Sequence, residues 1–319
     1  MTTYIIRRLI QAAFTLFLVT LIVFLAMHIL PGDPIYMLLS ADEVNTITEE
    51  QLQTLRHEYG LDRPIIVQYF DWIGGILHGD FGVSIFFSGR SPLTLIASSL
   101  PITFNLSIVS FIISLIIGIP AGIICAIRRG TWTDTIVTVL ANIGITVPIF
   151  WLGTMLIFIF SLQLPWLPVQ GYTSPFDDLA KNIRQIIMPV FCLAIFPISS
   201  ITRQTRSSML EIMNQDYIRT ARSKGLKELL IVSRHALKNA LIPVVTLSGM
   251  GLSHIIGGSV LIETVFNIQG VGRLLINAVF AHDYPVVQGF IFFISIIVLL
   301  VNLLVDISYG WFDPRIRYE

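Results

Sequence analysis

The sequence predicts an all-α integral membrane protein with six transmembrane helices, and two observations support this fold class. Hydrophobic residues make up 54% of the 319 residues and charged residues only 13%, whereas soluble domains usually contain about 25% charged residues. Six long stretches of the chain also contain no Asp, Glu, Lys or Arg. So few polar residues do not cover a water-exposed surface, and lipid must therefore surround much of the chain.

Each charge-free stretch predicts one membrane span, because a spanning helix needs about 20 mostly apolar residues. The stretches are Leu9–Gly32, Ser91–Ile127, Thr135–Phe176, Gln185–Thr202, Asn239–Ile262 and Tyr284–Val305. The second and third are longer than one span, and we place their helices at Ile102–Ile127 and Val137–Leu162. The fourth is the shortest and contains Pro189 and Pro197, which predict a kinked helix.

The first stretch follows Arg7 and Arg8, as the apolar part of a signal peptide would. It is longer than that part of a signal peptide, which has about 7–15 residues, and no small-residue cleavage site follows it. We therefore expect a retained first helix.

The distribution of basic residues predicts the orientation of the spans. An even number of helices puts both termini on one side, and with that side in the cytoplasm most of the 20 basic residues lie inside, as the positive-inside rule requires. The chain then divides into a cytosolic N-terminus with the first helix (1–32), an external region (33–99), a membrane core (100–310) with a cytosolic loop (203–238), and a cytosolic tail (311–319).

The external region contains signals for two helices. Thr48 with Gln51 forms a capping-box pattern, Tyr59-Gly60 is a plausible stop, and Pro64 fits the first position of a second helix. Apolar residues recur at helical spacing after Pro64, together with Trp72. This helix either lies on the membrane surface or packs on its own protein, and both interpretations stay open.

The cytosolic loop 203–238 is basic and helical in pattern. Asp216 can cap a short helix from Tyr217 to Lys224, Gly225 then ends it, and a second helix starts at Leu226. Two helices meeting at a glycine predict a protruding knob. The small residues Thr220 and Ala221 would let a partner approach closely. The basic residues that would pair with its acidic groups are Arg219, Arg222 and Lys224. The alternative is an ordinary basic loop that touches anionic lipid heads.

The sequence contains no pattern for catalysis or metal binding. Neither Gly-x-x-x-x-Gly-Lys-Ser/Thr, His-Glu-x-x-His nor Gly-x-Ser-x-Gly occurs. The six histidines have no metal-ligand spacing, and Cys125 and Cys192 lie apart in apolar runs. We expect no catalytic residues, no metal and no nucleotide site in this chain.

A few polar residues inside the spans are candidates for a transport path or for structural hydrogen bonds. His254 lies in the fifth span, and Asp306 lies in the sixth with Asn302 one helical turn away. Asp306 is close to the cytosolic end, where pairing or snorkelling also accounts for it. The spans contain no chain of acids, which argues against a proton-driven transporter. Small residues at four-residue spacing predict close helix packing; they are Gly118, Gly122, Gly249, Ser253 and Gly257.

The cytosolic loop resembles the "EAA loop" of binding-protein-dependent ABC importer permeases. The resemblance covers Asp216-Tyr217-Ile218-Arg219-Thr220-Ala221-Arg222-Ser223-Lys224-Gly225 and continues from His235 to Pro243. The Glu-Ala-Ala that names the loop reads Arg219-Thr220-Ala221 here, as it commonly does in the peptide/nickel branch.

Other segments are similar to the dipeptide or oligopeptide permease B subunit of that branch, in the same order along nearly the whole chain. They are Tyr4–Leu9, Leu30-Pro31-Gly32-Asp33-Pro34, Gly79-Asp80-Phe81-Gly82-Val83-Ser84, Glu263-Thr264-Val265-Phe266, Gly270-Val271-Gly272-Arg273, Asp283-Tyr284-Pro285 and Asp313-Pro314-Arg315.

The resemblance implies a MetI-like permease fold in spans two to six of a prokaryotic inner-membrane protein. It also implies a coupling helix that docks on a cytosolic ATPase, formed by Asp216, Tyr217, Arg219, Thr220, Ala221, Arg222, Lys224 and Gly225. Two ATPase subunits would bind ATP and magnesium, a second homologous permease would complete the pore, and an external binding protein would deliver the solute.

Di- or oligopeptides are the leading substrate class, and nickel chelates, glutathione and saccharides stay open. The competing functions are a secondary transporter or channel, which needs no ATPase, and a membrane-embedded enzyme, which needs a nucleophile or metal set.

Overall fold

The computed structural model describes residues 2–29, 35, 47–84, 86–87 and 89–312, and within these ranges the regular structure is helical. In chain order the helices are α1 (Thr2–Ile29), α2 (Glu49–Glu58), α3 (Ile65–Leu77), α4 (Pro92–Ile127), α5 (Trp132–Thr146), α6 (Ile149–Leu156), α7 (Leu179–Met213), α8 (Asp216–Ser223), α9 (Leu237–Val265), α10 (Val271–Phe280) and α11 (Tyr284–Phe312). A π-helical stretch, Ile157–Gln163, extends α6, and a short turn, Glu228–Leu230, with a second π-helical stretch, Ile231–Ala236, leads into α9.

Six spans are present if the bent pair α5–α6 counts as one, because five other helical segments in the described ranges are long and apolar enough to cross a membrane. The predicted fold class and number of spans are therefore confirmed. The predicted tail 311–319 lies outside the described residues from Asp313 onward, as do residues 30–34 and 36–46 of the first exit and the external region.

The chain forms two compact units, one of residues 1–101 and 270–299 and the other of residues 102–269 and 300–319. In the first unit α1 packs against α3. Phe24 contacts the rings of Tyr69 and Trp72, with centroids 5.3 and 6.1 Å apart, and the hydroxyls of Thr20 and Tyr69 share a hydrogen bond of 3.1 Å. One face of α3 is therefore packed on its own protein, which is one of the two interpretations.

The opposite face of α3 is apolar and exposed, with Ile66 at 71% and Leu77 at 78% of full exposure. Such a face is compatible with the headgroup boundary of a membrane. The preceding helix α2 has the predicted capping box, since Thr48 accepts from the backbone N–H of Gln51 and the Gln51 side chain accepts from the backbone N–H of Thr48. Pro64 was predicted to be the first residue of α3, but it is the N-cap, and the helix begins at Ile65.

A buried carboxylate holds the segment that contains Ser84 to the start of α11. Asp283 is fully buried, and it accepts hydrogen bonds from the Ser84 hydroxyl at 2.5 Å and from the Phe86 backbone N–H at 3.0 Å. Charged acceptors form the stronger hydrogen bonds in proteins. Two segments that are far apart in sequence, residues 79–84 and 283–285, are thereby brought together.

In the second unit, glycines on α4 allow close approach to α7. A Cβ added at Gly122 would lie 2.5 Å from Cβ of Thr205, and one added at Gly118 would lie 3.0 Å from the carbonyl oxygen of Ile198. The prediction of close packing is confirmed for this pair. For Gly257 it is wrong, because no described neighbour lies within 4 Å of the position of its Cβ; the Ser253 side chain lies outside the described part.

Two predicted boundaries of spans in the first half of the core were wrong. Helix α4 begins at Pro92 instead of Ile102 and has 36 residues, a length of about 54 Å. The predicted helix Val137–Leu162 is broken and bends by 104° between α5 and α6. Pro148 is the N-cap of α6 and Val147 is extended, as expected for a residue that precedes proline.

The fourth span is longer than predicted. Helix α7 continues through Pro189 and Pro197 and ends at Met213, so that residues 203–213 of the predicted cytosolic loop belong to the spanning helix.

Candidate functional site

The candidate coupling segment is α8 with the turn that follows it. The structure confirms a short helix here, with a corrected start: Gln215 is the N-cap, Asp216 is the first helical residue, and neither side chain caps the helix. Asp216 in the first turn is still favourable, because the helix dipole is positive at that end.

One side of α8 is anchored in an apolar cluster of the second unit. Ile218 is fully buried and Ala221 is 7% exposed. The other buried members come from four further segments, which are α4, α7, the π-helical stretch Ile231–Ala236 and α9. They are Ala126, Met209, Ile231, Val232, Ala236 and Ala240. Ala221 was predicted to face a docking partner, and this prediction is corrected: its side chain faces the cluster, on the same side of the helix as Ile218, because residues three or four apart share a helix face.

The other side of α8 is exposed and polar. Tyr217, Arg219, Thr220 and Lys224 all lie on the surface. The Tyr217 hydroxyl accepts a hydrogen bond of 2.9 Å from Asn239. Arg219 lies 3.4 Å from Asp216, and both side chains are largely exposed, so this ion pair contributes little to stability.

The end of α8 is a Schellman turn built on Gly225. The Gly225 N–H donates to the carbonyl of Arg222, and the Leu226 N–H donates to the carbonyl of Ala221. Gly225 has a φ of +77°, the left-handed region that glycine adopts without a steric penalty. No atom of the residues that the structure describes lies within 4 Å of the position of its Cβ, so the turn has room for a partner. The predicted helix end at this glycine is confirmed.

The turn after α8 is fastened by an ion pair. Arg222 donates two hydrogen bonds to Glu228, at 2.6 and 3.2 Å, and these bonds raise the pKa of Arg222. The Arg222 side chain, which was predicted to pair with acidic groups of a partner, is thus already paired within the chain.

A second ion pair joins α5 and α7. Its arginine, Arg206, lies on α7, which also carries the cluster residue Met209. Arg206 donates to both oxygens of Asp134, at 2.7 and 2.9 Å, and Asp134 also accepts the backbone N–H of Gly130. The Asp134 side chain is 7% exposed and that of Arg206 is 30% exposed, so removing the arginine would leave a largely buried carboxylate without its charge partner. The sequence analysis missed this pair, because 72 residues separate the two.

Comparison with known proteins decides the family. A family described as "binding-protein-dependent transport system inner membrane component" matches residues 118–318, and the N-terminal family of the same membrane components matches residues 1–107. The chain belongs to this family of permeases. Its members are permease subunits of ABC importers.

Full-length relatives and a solved structure agree with this assignment. A putative peptide transport system permease protein of Brucella abortus (strain 2308) is 43% identical over 320 residues, and the oligopeptide transport system permease protein AppB of Bacillus subtilis is 38% identical; each match covers 100% of both chains. The inward-facing MetNI methionine ABC transporter has a TM-score of 0.57 and 19% identity, and covers 69% of this chain and 97% of that one. The predicted MetI-like fold is confirmed.

The other polar candidates lie elsewhere in the permease. His254 is exposed on α9, and its ring packs on Phe196 of α7 with centroids 4.5 Å apart. Asn302 is exposed on α11. The backbone of Asp306 lies in α11, and its side chain is outside the described part. Within the described ranges no group of three His, Cys, Asp or Glu side chains can hold a metal ion.

A buried acid of the permease was missed by sequence reasoning. Glu263 near the end of α9 is fully buried, and it accepts a hydrogen bond of 2.6 Å from the Thr103 hydroxyl. It lies one residue beyond the charge-free run that ends at Ile262, and an acid at the edge of a span is the signal that would have found it.

Proposed function

We propose that this permease is one half of the pore of an ATP-driven importer for di- or oligopeptides, and that α8 is the helix that receives the movement of an ATPase subunit. The complex would contain a second homologous permease, two ATPase subunits and an external solute-binding protein, with both termini of this chain in the cytoplasm. The peptide class is supported by the relatives named above, which match this chain over its whole length at 38% and 43% identity.

The observation that supports the coupling role is the two-sided construction of α8. Its buried side, at Ile218, joins a cluster that contains Ala126 of α4, Met209 of α7 and Ala240 of α9. Packed interiors transmit displacement because they contain few voids. A force on the exposed side of α8 would therefore move three membrane helices together.

The alternative, a basic loop on anionic lipid heads, is less well supported. Binding to lipid heads depends on clusters of available cations. Arg222, one of the basic side chains here, is already paired with Glu228 within the chain. The exposed side of α8 fits a protein partner better.

A pair of threonine substitutions tests the proposal. Thr220 of α8 and Thr54 of α2 are both exposed helical threonines whose hydroxyls donate to the carbonyl four residues earlier. We expect Thr220→Arg to reduce ATP-dependent uptake of trialanine by the reconstituted complex about fivefold or more, because an oversized side chain in a packed interface costs about 1–3 kcal/mol. Thr54→Arg should leave uptake unchanged.

Normal uptake by Thr220→Arg would contradict the coupling role of α8. Uptake by the purified permease alone, without ATP or ATPase subunits, would instead favour a secondary transporter.

A further inference from the structure

A cavity of about 380 Å³ lies in the second unit among α4, α7 and α9. Its volume is in the range of small-molecule sites, about 300–1,000 Å³. Its apolar walls include Phe111, Phe196 and Leu247, and its polar groups include Ser200, Arg203 and His254. Apolar walls with a few convergent polar groups are typical of ligand sites.

The polar groups of the cavity lie largely on one face of α7. Ser200, Arg203 and Gln204 follow the three- and four-residue spacing that puts side chains on the same side of a helix. Arg203 is exposed, and no ion pair or hydrogen bond joins its guanidinium to another residue that the structure describes. Gln204 donates through its Nε2 to Ser208 at 3.1 Å, and this bond does not use its side-chain carbonyl oxygen.

The position of His254 indicates that this face meets water or protein instead of lipid. His254 lies within the apolar run Asn239–Ile262 and is exposed, and a polar side chain that faces lipid at that depth is costly. Gly251, which also lines the cavity, has no atom of the described residues within 4 Å of the position of its Cβ. The cavity is therefore open beside α9.

We infer that this cavity binds the terminal carboxylate of a peptide in transit, with Arg203 as the carboxylate ligand; this inference rests on the proposed function. Peptides differ in their side chains and share a backbone and a carboxylate, so a site that serves many of them must bind the shared groups. The guanidinium donates two parallel hydrogen bonds to a carboxylate. His254 and Gln204 line the same cavity and offer hydrogen-bonding groups to the peptide backbone, and Phe111 and Leu247 provide an apolar surface.

Protection of a cysteine in the cavity tests the inference on the purified complex. Ser200→Cys would react with a maleimide, whereas Cys125 and Cys192 are fully buried. We expect trialanine to protect this cysteine at a concentration about tenfold lower than trialanine amide, because the amide has no carboxylate. Arg203→Gln should remove this difference, and Arg203→Lys should restore part of it. Equal protection by the two peptides, or protection that Arg203→Gln does not change, would overturn the inference.

Two glycine substitutions on α9 form a matched pair for the same site. Gly251 and Gly257 both have open space at the position of a Cβ, and only Gly251 lines the cavity. Gly251→Leu should fill the cavity and abolish protection by trialanine, while Gly257→Leu should leave protection unchanged. If both variants keep full protection, the ligand does not occupy this cavity.

Uptake measurements separate the failure of this inference from failure of the proposed function. A wild-type complex that hydrolyses ATP and imports no trialanine, or any other peptide delivered by its binding protein, would contradict the proposed function. A complex that imports trialanine with the same KM in wild type and Arg203→Gln would contradict only the carboxylate site.

Discussion

Removal of the side chain that anchors α8 should uncouple ATP hydrolysis from transport. Ile218 is fully buried in the cluster with Met209 and Ala240, so Ile218→Ala leaves a cavity that its neighbours fill only in part. Such a substitution costs about 2–5 kcal/mol, and Ile218→Val about 0.5–1.5 kcal/mol. At 1.4 kcal/mol per tenfold, local opening of α8 should become at least about 30-fold more frequent in the alanine variant and about 2- to 10-fold more frequent in the valine variant.

Hydrogen exchange of residues 216–226 in the purified complex measures this opening, because amide protection reports local unfolding. Ile116→Ala is the control, since Ile116 is 66% exposed on α4 and surface substitutions usually change stability by less than about 0.5 kcal/mol. Uptake per ATP hydrolysed should fall in the order wild type, Ile218→Val, Ile218→Ala. Exchange in Ile218→Ala that is no faster than in Ile116→Ala would refute the anchoring role.

Two further predictions concern packing and a buried acid. Gly122→Ala should lower the stability of the solubilised protein by about 1–3 kcal/mol, because its Cβ would lie 2.5 Å from Cβ of Thr205, while Gly251→Ala, with open space, should not; a Tm that is equal in the two variants would contradict this packing. Asp283→Asn should expose residues 80–84 to proteolysis, since a hydrogen bond to a charged group contributes about 1.5–3 kcal/mol, and Asp80→Asn, at an exposed acid, should not. Equal cleavage of the two variants would show that Asp283 does not hold this segment.

The number of spans could be predicted from the sequence, because the absence of charge over about 20 residues is a local property that the bilayer enforces. Whether a proline ends a helix could not be predicted from the sequence. Helix α5 ends before Pro148. Helix α7 continues through Pro189 and Pro197, and α9 continues through Pro243. Neighbouring helices can satisfy the backbone groups that a proline frees, and those neighbours are not visible in a local pattern.

The candidate site, like the fold, could be predicted from the sequence only in its local features. Gly225 as a helix end follows from its own backbone freedom, which is a local property. The inward position of Ala221 and the pairing of Arg222 with Glu228 depend on which face of α8 the cluster covers. The contact between Asp134 and Arg206 joins residues 72 positions apart, and no sequence spacing indicates it. Partners brought together by tertiary packing had to come from the structure.

A photo-crosslinking amino acid at position 220 provides the most direct measurement of the coupling claim. Thr220 lies on the exposed side of α8, and Thr54 is exposed on α2. In cells that express the whole complex, the crosslinker at position 220 should join this permease to an ATPase subunit, and the crosslinker at position 54 should not. Crosslinks from position 220 to lipid alone, both with and without ATP, would contradict the claim that α8 docks on the ATPase.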